Sequence, residues 1–140
     1  MKVKQKDNIS KSYLISVVVL GMILSTGIVV AADETISISI TPAILNLAQT
    51  EAQFVFVHTE ISYDSVNTDP GSLTLEADDP TVIATAIKTE SDTLGNLVVM
   101  FDRADVAGIV YVGEVTLTLT GEMDNEKPFT GSDTIRVVDN

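Results

Sequence analysis

Two segments in which apolar and hydroxyl residues alternate strictly set the fold class of this chain. In residues 35–41 three isoleucines alternate with serine and threonine, and in residues 114–120 valine and leucine alternate with threonine. A side-chain period of two places these two sets on opposite faces of a β-strand, of which one is buried. We therefore predict half-buried strands whose apolar faces line the core.

Turn-forming residues divide the rest of the chain into similar short segments. Clusters at residues 67–72, 78–80 and 121–131 separate about eight predicted strands, and only residues 102–110 favour a helical turn. No helical pattern is long enough to connect parallel strands. We predict an all-β fold, an antiparallel Ig-like or Greek-key β-sandwich of about 7–8 strands.

One predicted strand, residues 52–59, has apolar residues on both of its faces. Phe54 and Phe56 fall on one side of it, and Val55 and Val57 fall on the other. Strands that are covered by packing layers on both faces have this composition. We therefore expect this strand to be buried on both faces.

The first 32 residues have the features of an export signal. Four lysines precede an uncharged run from Ser12 to Ala32, which ends in small residues and is followed by acidic ones. This is the order of a signal peptide, although a run of about 20 residues is also long enough to span a bilayer. We predict a signal peptide or N-terminal membrane anchor at residues 1–32 and one domain at 33–140. The lysines hold the N-terminus in the cytoplasm, so the domain is expected to be secreted or on the extracellular face of the membrane.

Charge and cysteine content exclude several function classes. Of 20 acidic and 8 basic residues, all acids except Asp7 and only four bases follow residue 32, so the predicted domain carries a net charge of about −15. Such a charge repels nucleic acid and anionic lipid, and we expect membrane contact only through residues 12–32, if they are retained. The chain has no cysteine, which excludes disulfides, thiolate metal sites and thiol nucleophiles.

An ordered series of strings in the C-terminal half resembles a known module. The strings are Phe-Asp-Arg at residues 101–103, GEVTLTLTG at 113–121 and PFTGSDTIRV at 128–137. They resemble a β-sandwich module of unassigned function, found in archaeal and bacterial secreted or surface proteins, often beside dockerin-like or PKD-like domains. Residues 40–47 and 63–70 fit its N-terminal half. The resemblance implies a fold and an exported location, and it implies no reaction.

The resemblance also implies a calcium-type loop before the Phe-Asp-Arg string, and the chain departs from it there. Glu90 and Asp92 are the candidate calcium ligands, but Leu94 replaces the third oxygen ligand and Phe101 stands where a closing carboxylate is needed. Calcium takes 6–8 oxygen ligands. We therefore expect an acidic hairpin loop and no metal site or cofactor, with Glu90 and Asp92 as the weak candidates for calcium.

No set of residues in the sequence predicts catalysis. His58 is the only histidine and lies near the end of an apolar strand, where packed or rim histidines are common. Paired carboxylates such as Asp78 and Asp79, or Asp102 and Asp105, are expected by chance in so acidic a chain. Acid–base catalysis needs two carboxyls in contrasting environments, which no sequence pattern indicates here. We therefore predict that the protein is not an enzyme.

Arg103 is expected to have a structural role. It is one of four basic residues after residue 32 and lies at the end of a predicted strand. A partly buried pair with Asp105, Asp133 or a nearby acid would fix the corner between strand and turn.

The sequence thus predicts a non-enzymatic extracellular or cell-surface module with a structural, adhesion or assembly role. Its partners would be proteins or further copies of itself, because an alternating edge segment such as residues 35–41 is a template for strand addition. The alternative is a ligand-binding module for carbohydrate or divalent cations. The carbohydrate version is less favoured, since the chain has no tryptophan and Tyr63, Tyr111 and Phe129 are its only aromatics in or near predicted loops.

Overall fold

The computed structural model of the protein describes residues 34–49 and 53–140, so the predicted leader at residues 1–32 lies outside the described residues. The described chain forms ten β-strands and one short helix. The strands are β1 (Glu34–Thr35), β2 (Ile38–Thr41), β3 (Ile44–Asn46), β4 (Phe54–Ser62), β5 (Thr74–Glu76), β6 (Ile83–Thr85), β7 (Lys88–Ser91), β8 (Asn96–Asp102), β9 (Gly113–Glu122) and β10 (Pro128–Val138). The helix α1 spans Arg103–Ala107, and 3₁₀ turns span Tyr63–Ser65 and Pro70–Ser72. Across these ranges no helix is long and apolar enough to cross a membrane.

The strands form two sheets around one core, which confirms an all-β fold of two layers. In sheet A the order is β1–β10–β9–β5–β6, and β3 pairs with the same edge of β10 as β1 does; in sheet B it is β2–β4–β8–β7. Neighbouring strands are antiparallel, except that β1 and β3 run parallel to β10. A single cluster of buried residues is contributed by strands of both sheets.

The alternation that predicted strands also assigned their faces correctly. On β9 the side chains of Val115, Leu117 and Leu119 are fully buried. The threonines between them lie on the outer face, where Thr116 and Thr118 exchange hydrogen bonds of 2.8 Å with hydroxyls of β10. On β9 and β10 the outer face of sheet A is therefore polar, and the apolar residues at alternate positions of these strands face the core.

Two segments change sheets, which raises the number of strands from the predicted eight or so to ten. Residues 34–46 pair with β10 through β1, with β4 through β2, and with β10 again through β3. Residues 83–91 likewise pair in sheet A through β6 and in sheet B through β7. The two sides of the sandwich are thus each closed by a segment that belongs to both sheets.

The expectation that the strand at residues 52–59 is buried on both faces is wrong for the phenylalanine side. Val55 and Val57 are buried in the core, whereas Phe54 is 37% exposed and Phe56 is half-buried. The two phenylalanines lie on the outer face of sheet B, which no other layer of the described chain covers. The apolar residues at odd positions of this strand therefore form a core face, and those at even positions form a partly exposed aromatic face.

Arg103 lies at the strand-to-helix corner as expected, but its partner differs from the predicted ones. Its side chain is 9% exposed, and its guanidinium donates a hydrogen bond to the carbonyl oxygen of Asn46. Among the described residues neither Asp105 nor Asp133 forms an ion pair with it. The arginine thus connects α1 to the end of β3, because a nearly buried guanidinium needs acceptors and a backbone carbonyl supplies one.

We predict that Arg103→Ala lowers the melting temperature measurably, with a loss of about 1.5–3 kcal/mol in the free energy of unfolding for a charged hydrogen bond of this kind. Arg136→Ala is the matched control, since Arg136 pairs with Glu114 at 2.6 Å but both side chains are more than half exposed. Exposed pairs contribute little, so the control is expected to melt near the parent temperature. Equal melting temperatures for the two variants would contradict the structural role of Arg103.

Gly121 provides a second test of the packing. A Cβ at this position would lie 2.6 Å from Leu73 Cδ2 and from Phe129 Cζ, both fully buried side chains. Overpacking of this kind costs about 1–3 kcal/mol, so Gly121→Ala is expected to lower the free energy of unfolding by that amount in a denaturant titration. At Gly71 the nearest atom is at 3.5 Å, so Gly71→Ala is expected to be neutral. Equal stability of the two variants would mean that the core has more room than the structure indicates.

Candidate functional site

The strongest candidate site is the place where the start of the domain lies against the rest of it. We call residues 34–41 the N-terminal segment. The groove that receives it is formed by Thr130, Gly131 and Asp133 of β10 and by Val57 and Thr59 of β4. The segment contacts edges of both sheets, so it is the element through which the two layers are joined on this side.

Gly131 lets the N-terminal segment approach the backbone of β10 closely. On this strand the alternation directs Phe129, Gly131 and Asp133 away from the outer face. A Cβ at Gly131 would lie 2.7 Å from Ile38 Cγ2 and 2.8 Å from the carbonyl oxygen of Ile36. The groove therefore contains a notch that only glycine can leave open, which is the usual reason for glycine inside a strand.

Asp133 supplies the polar contact beside this notch. Its Oδ2 accepts a hydrogen bond of 2.9 Å from the amide of Ile40, and its Oδ1 accepts one of 2.9 Å from the amide of Thr134. Ile40 is 3% exposed, and its amide lies on the edge of β2 that faces β10. The carboxylate thus provides a hydrogen-bond acceptor for the Ile40 amide at the point where the N-terminal segment has left sheet A.

Three further contacts fix the register of the segment in the groove. The amide of Ile36 donates to the carbonyl oxygen of Thr130 at 2.8 Å. Along β2, Ser39 pairs with His58 and Ile40 with Val57. At the start of the segment Glu34 and Lys127 form an exposed ion pair of 3.8 Å. The segment therefore has a defined position although it is only eight residues long.

A second distinct surface lies on the outer face of sheet B. We call Phe54, Phe56 and His58, at alternate positions of β4, the aromatic strip. The ring centroids of Phe54 and Phe56 are 6.5 Å apart in an edge-on arrangement, and those of Phe56 and His58 are 6.3 Å apart with nearly parallel planes. His58 is thus an exposed member of an aromatic row and lies in the middle of β4, whereas the sequence indicated a position near the end of the strand.

The two candidate calcium ligands are in different surroundings. Glu90 is exposed on β7, whereas Asp92 lies in the hairpin loop that follows. Asp92 Oδ1 accepts hydrogen bonds from the amides of Leu94 at 2.8 Å and Asn96 at 2.9 Å. These bonds close the loop. Among the described residues no group of three or more histidine or acidic side chains is arranged to hold a metal ion.

The paired carboxylates at residues 78 and 79 have separate partners. Asp78 Oδ2 accepts a hydrogen bond of 2.7 Å from the hydroxyl of Tyr111, and this bond raises the pKa of the tyrosine. Asp79 Oδ1 accepts from both the hydroxyl and the amide of Thr81, and these bonds lower the pKa of Asp79, the hydroxyl contributing most. Both carboxylates are exposed and fasten surface turns, which gives them no shared chemistry.

An open cleft is present at the end of the sandwich that contains the β9–β10 turn. It encloses about 430 Å³ and is lined by Val66, Asn67, Thr68, Glu122, Met123, Asp124 and Glu126. Backbone hydrogen bonds join the two segments that line it, from Asn67 to the carbonyl oxygen of Glu122 and from Asp124 to that of Ser65. The cleft is therefore a seam between two chain segments, with acidic side chains at its rim.

Comparison with models of known protein families, with curated proteins and with solved structures gives no match for this chain. The resemblance to a module of secreted and surface proteins therefore stays a prediction.

Sequence reasoning did not find the groove or the aromatic strip. Gly131 and Asp133 interrupt the series of apolar residues on the core-facing side of β10. Such an interruption is a signal for close backbone approach and for a buried polar contact. Phe54 and Phe56 alternate with two valines, and the sequence alone does not say which parity faces the core. In both cases the signal becomes specific only when the partner strand is known.

We predict that Asp78→Asn brings the pKa of Tyr111 back down toward its ordinary value, because the variant replaces the carboxylate that accepts the tyrosine's hydrogen bond by a weaker neutral acceptor and also removes its negative charge. The measurement is a pH titration of phenolate absorbance. Asp79→Asn is the matched control, since Asp79 bonds to Thr81. An identical titration of the two variants would contradict the Tyr111–Asp78 hydrogen bond.

Proposed function

We propose that this protein is a non-enzymatic module of the cell surface or the extracellular space that has an assembly role. In this proposal one copy places its N-terminal segment in the groove of another copy. The export features of residues 1–32 and the resemblance of the C-terminal strings to modules of secreted and surface proteins support the location. We also propose that the two-sheet fold is of the Ig-like or Greek-key type.

The observation that carries the proposal is the fit between the N-terminal segment and its groove. The notch at Gly131 and the carboxylate of Asp133 receive Ile38 and Ile40 specifically. All contacts of the segment are made with a surface that every copy presents in the same form. Exchange of an identical element between copies keeps these contacts, so it is a route to assembly with little cost in contact energy.

The position of the segment in the chain also favours exchange. It is followed by Pro42 and Ala43 and then by β3, and it is the first strand-forming part of the predicted domain. Moving it removes β1 and β2 from the edges of their sheets and leaves the central pairs β9–β10 and β4–β8 unchanged. The remaining core would stay folded around those pairs.

The charge of the domain sets the conditions for assembly. Two copies of a domain of about −15 repel each other at low ionic strength, and salt screens this repulsion with a Debye length of about 8 Å at 0.15 M. The proposal therefore predicts that assembly increases when salt is raised from low to physiological concentration. Sedimentation velocity of the full chain at several salt concentrations would measure this, and assembly that weakens with salt would contradict the proposal.

Cross-linking between copies tests the exchange directly, because the chain has no cysteine of its own. Ser39 and His58 are exposed register partners on β2 and β4. Full-length Ser39→Cys and His58→Cys proteins would be mixed, warmed to allow exchange, cooled and oxidised. We expect disulfide-linked heterodimers that contain one copy of each variant, identified by intact mass.

The matched control uses a register pair that exchange does not separate. Thr116 and Thr134 face each other on β9 and β10, with their hydroxyls 2.8 Å apart. A mixture of Thr116→Cys and Thr134→Cys is expected to give only the background of random cross-links. If the first mixture gives no more heterodimer than the control, the exchange proposal is wrong.

A further inference from the structure

The aromatic strip is exposed, and the proposed strand exchange does not involve its rings. Phe54 is 37% exposed and His58 is exposed, so ring surface faces solvent on the outer side of sheet B. The flanking side chains of β2 are the small residues Ser39 and Thr41, and on β8 Met100 is the register partner of Phe56. The strip is therefore an accessible row of rings at the centre of an otherwise regular face.

The charges around the strip are predominantly negative. Glu60 follows His58 on the same face of β4, and Asp102, whose Oδ1 accepts from the amide of Ala104, is the register partner of Phe54. Glu90 lies one strand further out, on β7, where it pairs with Val98, the register partner of His58 on β8. Lys88, which pairs with Met100, is the one basic residue among the described neighbours of the strip. A row of aromatic rings bordered by three carboxylates and one ammonium attracts cations, since ring faces and carboxylates both carry negative potential.

The same charges disfavour other occupants. A second copy of the domain brings a net charge of about −15 by the sequence count, and an acidic ligand would meet the same carboxylates. A cationic ligand gains from the aromatic rings and from the carboxylates together. Charge complementarity therefore selects a basic partner for this face.

The spacing of the rings selects the conformation of that partner. Adjacent rings are 6.5 and 6.3 Å apart. Alternate side chains of an extended peptide are separated by about 6.7 Å, because each residue advances 3.3–3.4 Å. Cationic side chains at every second position of an extended segment would therefore meet successive rings of the strip, whereas adjacent basic residues point to opposite sides of such a segment.

We propose that the aromatic strip binds an extended basic segment of a protein partner, with Arg or Lys at alternate positions placed over the rings and paired with Glu60, Glu90 and Asp102. This site is separate from the groove of the N-terminal segment, so the proposed ligand does not depend on the strand exchange. It assigns a ligand class to the binding alternative that the sequence left open between carbohydrate and cations.

The test is a fluorescence anisotropy titration of the full chain with two labelled peptides of equal composition. In one peptide three arginines alternate with serines, and in the other the three arginines are contiguous. The alternating peptide is expected to bind more tightly by at least about threefold, the ratio that one additional exposed cation–π contact contributes. Equal affinities for the two peptides would overturn the assignment of an extended ligand.

Variants on the two faces of the sandwich separate specific binding from general attraction. Phe54→Ser and Glu90→Gln alter the strip and its border, and neither side chain is part of the core. Each is expected to weaken binding of the alternating peptide about threefold in a protein that remains folded. Glu76→Gln makes the same charge change on the outer face of sheet A and is expected to leave binding unchanged.

Two further results would overturn the proposal. The first is an equal loss of affinity in Glu76→Gln and Glu90→Gln, which would mean that only net charge attracts the peptide. The second is absence of peptide binding together with binding of a neutral oligosaccharide, such as a soluble cellulose or chitin fragment, that Phe54→Ser abolishes. That result would assign the strip to a carbohydrate ligand.

Discussion

The attachment of the N-terminal segment to β10 is the interaction that joins the two sheets on one side of the sandwich. The segment begins in sheet A, crosses to sheet B at β2 and returns to sheet A at β3, and at each crossing β10 provides the contact. Gly131 leaves room for the crossing, and Asp133 accepts the amide that the crossing removes from sheet A. A side chain at Gly131 would keep the N-terminal segment from lying this close to β10.

The opposite side of the sandwich follows the same design with different residues. Between β6 and β7 the amide of Ala86 donates to the carbonyl oxygen of Leu73, which directly precedes β5 of sheet A, and the next amide, of Ile87, donates to that of Met100 in sheet B. The edge strands β6 and β7 are three and four residues long, and β7 carries Lys88 and Glu90. Short and charged edges resist unselective pairing with other chains. Assembly by strand pairing therefore requires a strand with a specific binding site on another copy, and the N-terminal segment is such a strand.

The two outer faces of the molecule differ in chemistry because the strands were built from different residues at their non-core positions. On β9 and β10 sheet A presents threonine and serine, with hydroxyls bonded between the two strands. Sheet B presents phenylalanine and histidine at the corresponding positions of β4. Threonine at exposed strand positions needs no functional explanation, since it fits a pleated surface well. Phenylalanine also fits such a surface, and on sheet B its rings form the face to which we assign the basic ligand.

Local periodicity predicted the strands and most of their faces, as the buried Val115, Leu117 and Leu119 show. It did not predict that residues 35–41 are shared between sheets, because crossing depends on β10, which lies about 90 residues later in the chain. The exposure of Phe54 and the partner of Arg103 were missed for the same reason, since both are decided by strands that are distant in sequence. The groove could be recognised from sequence only as a glycine and an aspartate at core positions of β10.

Native-state hydrogen exchange of individual amides tests the central claim that the N-terminal segment is a separable element held by β10. The amides of Ile36 and Ile40, which bond to Thr130 and Asp133, are expected to exchange through a local opening that depends weakly on denaturant. Core amides of β9, such as that of Leu117, are expected to exchange only through global unfolding. If Ile36 and Ile40 exchange with the same free energy and the same denaturant dependence as Leu117, the segment does not leave its groove independently, and the account is wrong.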